Sequence, residues 1–300
     1  MKTLVRSLLC TALLCAGSLP ALAETPAGDT LAQLRETRVI TLGVRDAARP
    51  FSFLNEQKRP VGYSVDLCLA AVEDLRKELK LPDLKVQYKV VSGAERIPKL
   101  LEKEIDLECG STTNTKARQD KVDFSYTIFV AGMRVLLPKN RTAESIKDLQ
   151  DVPVAVTKGT TSEKLFTQLQ RQVKVQLVAF PSNTDSYKAL KDGKVQAFPQ
   201  DDSLLMGLAA NDKNLDKVEL SKFALSVEPY AIMLRKGDTA LQTSVDRTLA
   251  RLYKSGEVQA IYRKWFETEH LNIAQSRLTK ESFLRPNKEA GVALLLGYSL

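Results

Sequence analysis

The chain has 300 residues, 44% of them hydrophobic and 27% charged, which is the balance of an ordinary globular protein. Its 44 Lys and Arg residues outnumber 36 Asp and Glu residues, but the two signs are interspersed and no basic stripe carries interleaved aromatic residues. The composition therefore argues against a nucleic-acid-binding protein, while the net charge of +8 would help to attract a small anion. The single histidine, His270, excludes a multi-histidine metal site, and we predict neither a metal nor a cofactor.

The N-terminus has the pattern of a cleaved secretory signal over residues 1–23. Basic residues near the start are followed by an apolar run at residues 8–14 and by Ala-Leu-Ala at residues 21–23. This run is too short to cross a bilayer comfortably. A lipid-anchored Cys15 is the alternative, although the preceding Leu14 is bulky where lipoprotein signals have Gly or Ala. We predict export to the periplasm and cleavage of this segment.

Two cysteines, Cys68 and Cys109, follow the signal segment. The periplasm oxidises thiols, so the pair can form a disulfide there, but two buried free thiols fit the sequence equally well. The chain has no C-x-x-C motif, so neither a redox motif nor a zinc knuckle is predicted.

From residue 39 onward, predicted strands and helices alternate. The apolar run at 39–44 is typical of a buried strand, and residues 64–80 form a helical pattern with an apolar stripe through Val65, Leu69 and Val72. This β-α-β alternation predicts a mostly parallel sheet with helices on both faces. The first unit continues with strands at 86–91 and 105–109 and a helix at 96–103.

The alternation starts again at residue 152 and forms a second unit. Its predicted strands are 152–156, 175–180 and 195–198, and its predicted helices are 159–169, 185–191 and 201–210. Two long apolar strands, 128–138 and 230–234, flank this unit, and helices follow at 241–266. If these last helices pack on the first unit, the chain crosses twice between two lobes and leaves a cleft. Open α/β sheets bind ligands beyond the carboxyl ends of their strands, so both lobes should contribute to that cleft.

We therefore predict an α/β protein of two lobes joined by two hinge strands. Lobe 1 comprises residues 24–134 and 229–270, and lobe 2 comprises residues 135–228. The pattern fades in the tail, residues 271–300, to which we assign no function.

Two turns rich in Ser and Thr follow predicted strands and precede helices. They are Gly110–Asn114 and Thr157–Glu163. Free N–H groups at a helix start and neighbouring hydroxyls suit a carboxylate, so one turn from each lobe could grip the same ligand. Thr160 with Glu163 also fits a capping box, and helix capping alone is the alternative for that turn.

Charged residues near these turns complement a zwitterion. Arg118 follows the first turn, and its guanidinium offers a fork that matches a carboxylate, although a surface arginine is the simpler interpretation. Asp201 and Asp202 begin the last helix of the second unit. Acidic residues are ordinary at a helix start, but one of them facing the cleft would hold an ammonium group.

Four segments occur in an order that carries a family resemblance: residues 45–53, 61–66, 108–114 and 159–163. Together they resemble the periplasmic glutamate/aspartate-binding proteins of ABC importers, within the polar amino-acid solute-binding protein family 3. The resemblance covers about residues 38–266 and implies the type II periplasmic binding protein fold. It also implies a monomer without enzymatic activity, with L-glutamate or L-aspartate as ligand and an inner-membrane ABC permease as partner.

The resemblance implies a role for each matching residue. Arg118 would clamp the α-carboxylate with donors from the two turns, and Asp201 would hold the α-ammonium. Two further arginines, Arg45 and Arg96, would face the side-chain carboxylate. The implied ligand-binding set is Arg45, Arg96, Ser111, Thr113, Arg118, Thr161, Asn183 and Asp201.

Two positions depart from the pattern of acidic-amino-acid binders. Gly93 stands where they have a serine, and Asn183 stands where they have a histidine. Both positions lie near the side-chain carboxylate in that family, so an amide ligand such as glutamine stays open. The two arginines near that end keep the acidic ligand preferred, because an unpaired guanidinium in a closed cleft is costly.

Two other classes of function are compatible with the same fold. A cyclohexadienyl-dehydratase-like enzyme would need a general acid or base in the cleft, for which Glu108 and Asp201 are the candidates. A sensory binding domain would use the same cleft to signal to a receptor. No segment for transmembrane signalling is fused to the predicted lobes, which disfavours the sensory domain.

Overall fold

The computed structural model of the protein describes residues 29–294 and the backbone of residues 298–299; the predicted signal segment, residues 1–23, lies outside the described residues. The helices are α1 (Thr30–Thr37), α2 (Tyr63–Leu79), α3 (Arg96–Leu101), α4 (Lys116–Gln119), α5 (Thr161–Leu169), α6 (Asn183–Lys191), α7 (Asp202–Asn211), α8 (Thr239–Ser255), α9 (Glu257–Phe266) and α10 (Arg277–Leu284). The strands are β1 (Val39–Val44), β2 (Ala47–Ala48), β3 (Ser52–Leu54), β4 (Pro60–Val61), β5 (Lys85–Val90), β6 (Leu107–Glu108), β7 (Val122–Pro138), β8 (Pro153–Thr157), β9 (Gln176–Phe180), β10 (Phe198–Asp201), β11 (Val218–Leu220), β12 (Ser226–Arg235), β13 (Val292–Ala293) and β14 (Tyr298–Ser299). Within this part of the chain, none of the helices has both the length and the apolar character that a membrane crossing requires.

The main sheet runs in the order β5-β1-β6-β12-β7-β10. Strand β1 pairs in parallel with β5 and β6, and β8 pairs in parallel with β9 in a separate sheet, so each half of the molecule contains the predicted parallel β-α-β arrangement. Helices follow the strands in both halves, which confirms the predicted α/β class.

Two long antiparallel strands, β7 and β12, join the two halves. The first part of β7, residues 122–129, pairs with β12 beside β6, and its last part, residues 133–138, pairs with β10 and β11 of the second half. The register of the β7–β12 pair shifts between Tyr230 and Met233, in the part of the pair that packs in the first half. Such irregularities break the ladder locally and allow a strand to bend. These are the two crossing strands that the sequence predicts.

Helix α2 illustrates how the pattern specifies an element. Its buried residues recur every three or four positions, among them Val65, Cys68, Val72 and Leu75, so one face packs into the core. The helix ends at Lys80, which adopts the left-handed conformation at φ 57° and donates its backbone N–H to the last carbonyls. The prediction of a helix over residues 64–80 is correct within one residue at each end.

The strand that precedes Asp201 lies further along the chain than its sequence pattern predicts. Within residues 195–197 only Ala197 forms an isolated bridge to β8, and the regular strand β10 covers 198–201 and pairs with β7. The prediction of a strand at 195–198 is therefore displaced by three residues. Its consequence is that Asp201 ends a buried strand and immediately precedes α7.

The buried core is divided between the two halves. The largest cluster draws on residues 31–131 and 230–283 and on Leu204. In it, the ring centroid of Phe51 lies 4.9 Å from those of Phe129 and Tyr230. Two clusters on the other side draw on residues 133–225 and on Ala293. The division agrees with two lobes, while the predicted lobe boundaries at residues 134/135 and 228/229 stay a prediction.

The segment after residue 270 packs against both halves. Lys288 forms a 2.6 Å ion pair with Asp246 of α8, and Thr127 of β7 donates its backbone N–H to the carbonyl of Asn287 at 2.9 Å. Further on, β13 pairs with the start of β12, and Ala293 is buried in the core of the second half. The tail thus runs along the side of the molecule where β7 and β12 cross, and it contacts both halves.

Candidate ligand-binding site

The two polar turns meet at a cavity between the halves. The first turn follows β6 and the second follows β8, so both lie at the carboxyl ends of parallel strands. The cavity is small, and the centre of a water-sized molecule has about 10 Å³ of space in it. Its lining residues are Arg45, Arg96, Ser111, Thr113, Thr160, Thr161, Asn183, Gln200, Asp201 and Leu204. Seven of the eight residues in the predicted set therefore line one cavity.

The eighth predicted residue, Arg118, lies beside the cavity. It is partly buried, and its guanidinium donates to the carbonyl of Thr113 at 2.8 Å and to that of Gly159 at 3.2 Å. The first acceptor belongs to the first turn and the second acceptor to the opposite turn. Arg118 therefore bridges the two halves at one wall of the site.

Two further arginines are buried in the cavity wall. Arg96 donates to Thr112 Oγ1 at 2.6 Å and to the Gly159 carbonyl at 3.2 Å, while the Nε atoms of Arg45 and Arg96 bond to no described residue. Burial, together with the charge of Arg96, lowers the pKa of Arg45 to about 10. The same two causes lower the pKa of Arg118 to about 9. A bound anion would relieve both effects, because an opposite charge favours the protonated guanidinium.

Two buried carboxylates partly balance these arginines. Glu108 accepts from Thr112 Oγ1 at 2.6 Å, and Glu228 accepts from Thr161 Oγ1 at 3.0 Å. The charge of Glu108 acts on Arg45, and the charges of both act on Arg118. Neither carboxylate is among the cavity-lining residues, so both support the wall of the site from behind.

Asp201 is the acidic group of the cavity. Its Oδ2 accepts a short hydrogen bond from the Tyr230 hydroxyl, whereas its buried Oδ1 has no partner in the described part of the chain. Burial and the charge of Glu228 raise the pKa of Asp201 well above its ordinary value. An ammonium group beside Oδ1 would satisfy this atom and stabilise the ionised carboxylate.

The second turn combines helix capping with cleft contacts. Thr160 accepts from the backbone N–H of Glu163 at 3.1 Å, and the Glu163 side chain accepts from the N–H of Gly159 at 2.7 Å. The capping interpretation of Thr160 is therefore correct, with the reciprocal bond reaching Gly159. Capping leaves the hydroxyl of the next residue, Thr161, at the cavity.

Gly93 and Gly159 form a close backbone approach between the halves. A Cβ atom at Gly159, where φ is +75°, would lie 2.5 Å from the Gly93 carbonyl carbon. A Cβ atom at Gly93 would lie 2.8 Å from the carbonyl oxygen of Lys158. The absence of a serine hydroxyl at residue 93 thus has a steric reason: only glycine lets the two backbones pack this closely.

A disulfide joins Cys68 and Cys109. Cys68 lies on α2 and Cys109 directly precedes the first turn, and both are fully buried. Of the two interpretations that the sequence left open, the structure contains the bonded pair. The bond ties the end of β6 to α2, so it anchors the residues that lead into the site.

Gln200 is the main site residue that sequence reasoning missed. It is buried at the end of β10 and accepts from the backbone N–H of Asp201 at 3.0 Å. Its amide nitrogen donates to Asn183 Oδ1 at 3.1 Å. A strand placed over residues 198–201 would have indicated Gln200, because that strand ends at the cavity. Thr160 and Leu204 also line the cavity without having been predicted.

Two α/β halves, two connecting strands and a closed polar cleft define a solute-binding protein of the two-lobed class. Residues 40–268 match the bacterial extracellular solute-binding proteins, family 3, and the chain belongs to this family. The family resemblance seen in the sequence is confirmed.

Several relatives extend over nearly the whole chain. It is 40% identical to the L-glutamate/L-aspartate-binding protein of Pseudomonas aeruginosa, over 95% of this chain and 97% of that protein. It is 37% identical to the glutamate/aspartate import solute-binding protein of Escherichia coli, over 89% of this chain and 91% of that protein. Both relatives are named for binding or import.

Solved structures share the fold. A mutant of ArgBP from T. maritima superimposes with a TM-score of 0.72 at 27% identity, covering 79% of this chain and 99% of that one. The ancestral amino acid-binding protein AncCDT-1, a precursor of cyclohexadienyl dehydratase, superimposes with a TM-score of 0.69 at 28% identity, with the same two coverages. The predicted two-lobed binding-protein fold is confirmed.

Proposed function

We propose that the protein is the periplasmic substrate-binding component of an ABC amino-acid importer and that it binds L-glutamate and L-aspartate. The observation that carries this proposal is the charge arrangement of the cavity. Arg45 and Arg96, whose Nε atoms have no partner in the described part of the chain, line the cavity together with Asp201, whose Oδ1 is likewise unpaired, and Arg118 lies beside the cavity. A ligand with two carboxylates and one ammonium group matches that arrangement, and the names of the relatives point to the same ligands.

Each charged group has a role in the proposed complex. Arg118, with Ser111, Thr113 and Thr161, binds the α-carboxylate, because these groups come from the two opposed turns. Asp201 binds the α-ammonium through its free Oδ1. The ligand's side-chain carboxylate lies against Arg45, Arg96 and Asn183. All three of these residues line the cavity.

Ligand binding is coupled to closure of the lobes. Arg96 and Arg118 reach the Gly159 carbonyl across the cleft, and the lobes divide near residues 134/135 and 228/229, where β7 and β12 cross. Closure about these strands is a hinge motion. In this proposal a monomer, exported by its cleaved signal, presents the closed form to an inner-membrane permease.

Calorimetric titration of the exported protein tests the proposal. The protein is purified from the periplasm, refolded to remove bound ligand, and titrated with the common L-amino acids. We expect one-to-one binding of glutamate and aspartate, and a change in fluorescence of the single tryptophan. Trp265 reports closure because it borders the same interlobe groove as Gly207 of α7. Binding of only a basic or neutral amino acid would contradict the proposal.

Single substitutions test which arginine binds the α-carboxylate and which binds the side-chain carboxylate. Arg118→Met should weaken the binding of every amino acid, because each carries an α-carboxylate. Arg45→Met should selectively weaken the binding of glutamate and aspartate. Arg171→Met is the matched control, since Arg171 is exposed and outside the cavity. Equal losses for Arg45→Met and Arg171→Met would contradict the assignment of Arg45.

An enzyme is the second candidate, favoured by one observation. Asp201 combines a raised pKa with an unpaired oxygen in a closed cleft, which is the environment of a general acid, and AncCDT-1 shares the fold. Incubation of the protein with each bound amino acid and with cyclic acids such as prephenate, followed by product analysis, separates the two functions. Product formation that Asp201→Asn abolishes would establish the enzyme.

A further inference from the structure

We propose that Gln200 is a positioning residue that sets which end of the Asn183 amide faces the ligand, and that the site thereby selects a side-chain carboxylate over a carboxamide. The inference rests on the proposed function, because it concerns the ligand's side-chain end. It assigns a role to a residue that neither the charge pattern nor the two polar turns indicated.

The observation is a chain of two buried hydrogen bonds. Gln200 is 1% exposed and Asn183 is 2% exposed, and both border the cavity. The backbone N–H of Asp201 donates to Gln200 Oε1 at 3.0 Å, and Gln200 Nε2 donates to Asn183 Oδ1 at 3.1 Å. Asn183 Nδ2 makes no hydrogen bond with any described residue.

The backbone N–H of Asp201 fixes which atoms donate and which accept in these two hydrogen bonds. An amide side chain has an oxygen and a nitrogen of nearly the same shape, so its orientation is decided by its partners. The backbone N–H of Asp201 can only donate, and it therefore requires the oxygen of Gln200. Gln200 must then direct its nitrogen at Asn183, which must accept with its oxygen. The remaining end of Asn183, its NH2 group, is left for the cavity.

Asn183 lies at the same end of the site as Arg45. Helix α6, which begins at Asn183, packs against β2, which follows Arg45 by two residues in the chain. Both groups present only N–H donors to the cavity. A ligand carboxylate accepts from both of them. A carboxamide would direct its own NH2 group at one of these donors and leave it unpaired, and unpaired buried donors are the basis of strong discrimination between isosteres.

The test compares affinities for glutamate and glutamine by calorimetry on the exported, refolded protein. The wild type should bind glutamate about 100-fold more tightly than glutamine, because the amide of glutamine leaves one buried donor of the site unpaired. Gln200→Met, which cannot orient Asn183, should reduce this ratio by about tenfold, since the free amide can then turn its oxygen to glutamine. Gln200→Glu is nearly isosteric and keeps the acceptor for Asp201, but it forces Asn183 to donate to it, so the ratio should fall further.

The Asn183→Ala background separates positioning from direct effects. If Gln200 acts through Asn183, Gln200→Met should leave the glutamate-to-glutamine ratio unchanged in that background. In the Asn183→Ala background, Gln200→Glu can change the ratio only through its added charge. This change is subtracted from the change that Gln200→Glu causes when Asn183 is present. Thermal unfolding checks that each variant is folded, and Gln200→Glu carries the test if Gln200→Met does not fold.

The outcomes distinguish this inference from the function on which it rests. If the wild type binds neither glutamate nor aspartate, the proposed function fails and the inference fails with it. If the wild type prefers glutamate but neither Gln200 variant changes the ratio, the inference alone is overturned. An equal effect of Gln200→Met with and without Asn183 would also overturn it, since Gln200 would then act directly.

Discussion

Replacement of Arg45 by methionine is expected to stabilise the ligand-free protein while it destroys tight binding of glutamate. The guanidinium is buried, its Nε atom has no partner among the described residues, and Arg96 lies close enough to repel it. Methionine has an unbranched, flexible side chain without charge, so it can occupy the same space and remove the desolvation cost.

The magnitude follows from the pKa of Arg45. A fall of this pKa from 12.5 to about 10 corresponds to about 3 kcal/mol of unfavourable free energy for the charged group in the fold. The folded state holds Arg45 charged below pH 10, so the full cost is present at pH 7. It disappears only as the pH rises from about 10 to 12.5. The gain of about 3 kcal/mol is an upper limit, because opening of the lobes rehydrates the guanidinium.

The assay is urea unfolding of the refolded, ligand-free protein at pH 7, paired with calorimetric titration. Arg45→Met should raise the free energy of unfolding by up to about 3 kcal/mol, and it should lower the affinity for glutamate by roughly 30-fold or more. The exposed control, Arg171→Met, should change stability by less than about 0.5 kcal/mol. The reasoning would be refuted if Arg45→Met were less stable than the wild type by about 1 kcal/mol or more, which is the net contribution of about one hydrogen bond.

Three further perturbations test other parts of the structure. Cys68→Ala with Cys109→Ala opens a loop across 41 residues of sequence and should cost about 4 kcal/mol in urea unfolding; a loss below about 1 kcal/mol would contradict the loop-entropy argument. Glutamate affinity should fall on acidification, by up to about tenfold per pH unit, because Asp201 protonates at a raised pKa and its neutral form cannot balance an ammonium group. In Asp201→Asn the affinity should be weak and insensitive to pH between pH 8 and about pH 5.5, a range in which the side chain of glutamate stays ionised. A wild-type affinity that is constant over this interval would refute the role of Asp201. Gly93→Ala should weaken binding without changing ligand-free stability, since its Cβ meets the Lys158 carbonyl only across the closed cleft; unchanged affinity would mean that the lobes close less tightly than in the structure.

Local physics explains what the sequence alone could predict. Apolar spacing specifies α2 within one residue at each end, because the helix must bury one face. The hydroxyls and glycines of the two turns indicated a carboxylate site, because strand-to-helix turns leave N–H groups free. Thr160 was identified as a cap from its spacing to Glu163; its bond from the Glu163 N–H is present, whereas the Glu163 side chain accepts from Gly159 instead of Thr160.

Tertiary structure decided the features that depend on residues distant in the chain. The antiparallel pairing of β10 with β7 moved the strand to 198–201, which a periodic pattern at 195–198 could not reveal. The contact between Gly93 and Lys158 exists only because the two lobes meet, so the sequence showed a missing hydroxyl where the structure shows a steric requirement. The path of the tail across the hinge side depends in the same way on its pairing with β12.

Some features of the site could be predicted from the sequence, and others depend on the tertiary structure. From residue types alone, the sequence indicated that the two polar turns, Arg118 and an acidic residue would suit a zwitterion, because charge and hydrogen-bonding capacity belong to the side chains. The family resemblance added Arg45 and Arg96 and, with them, the acidic ligand. Only the tertiary structure decided that the cavity has a directional amide pair, since the orientation of Asn183 depends on Gln200 and on the backbone N–H of Asp201. Hydrogen-bond direction is a property of neighbours in space, and a linear sequence does not contain those neighbours.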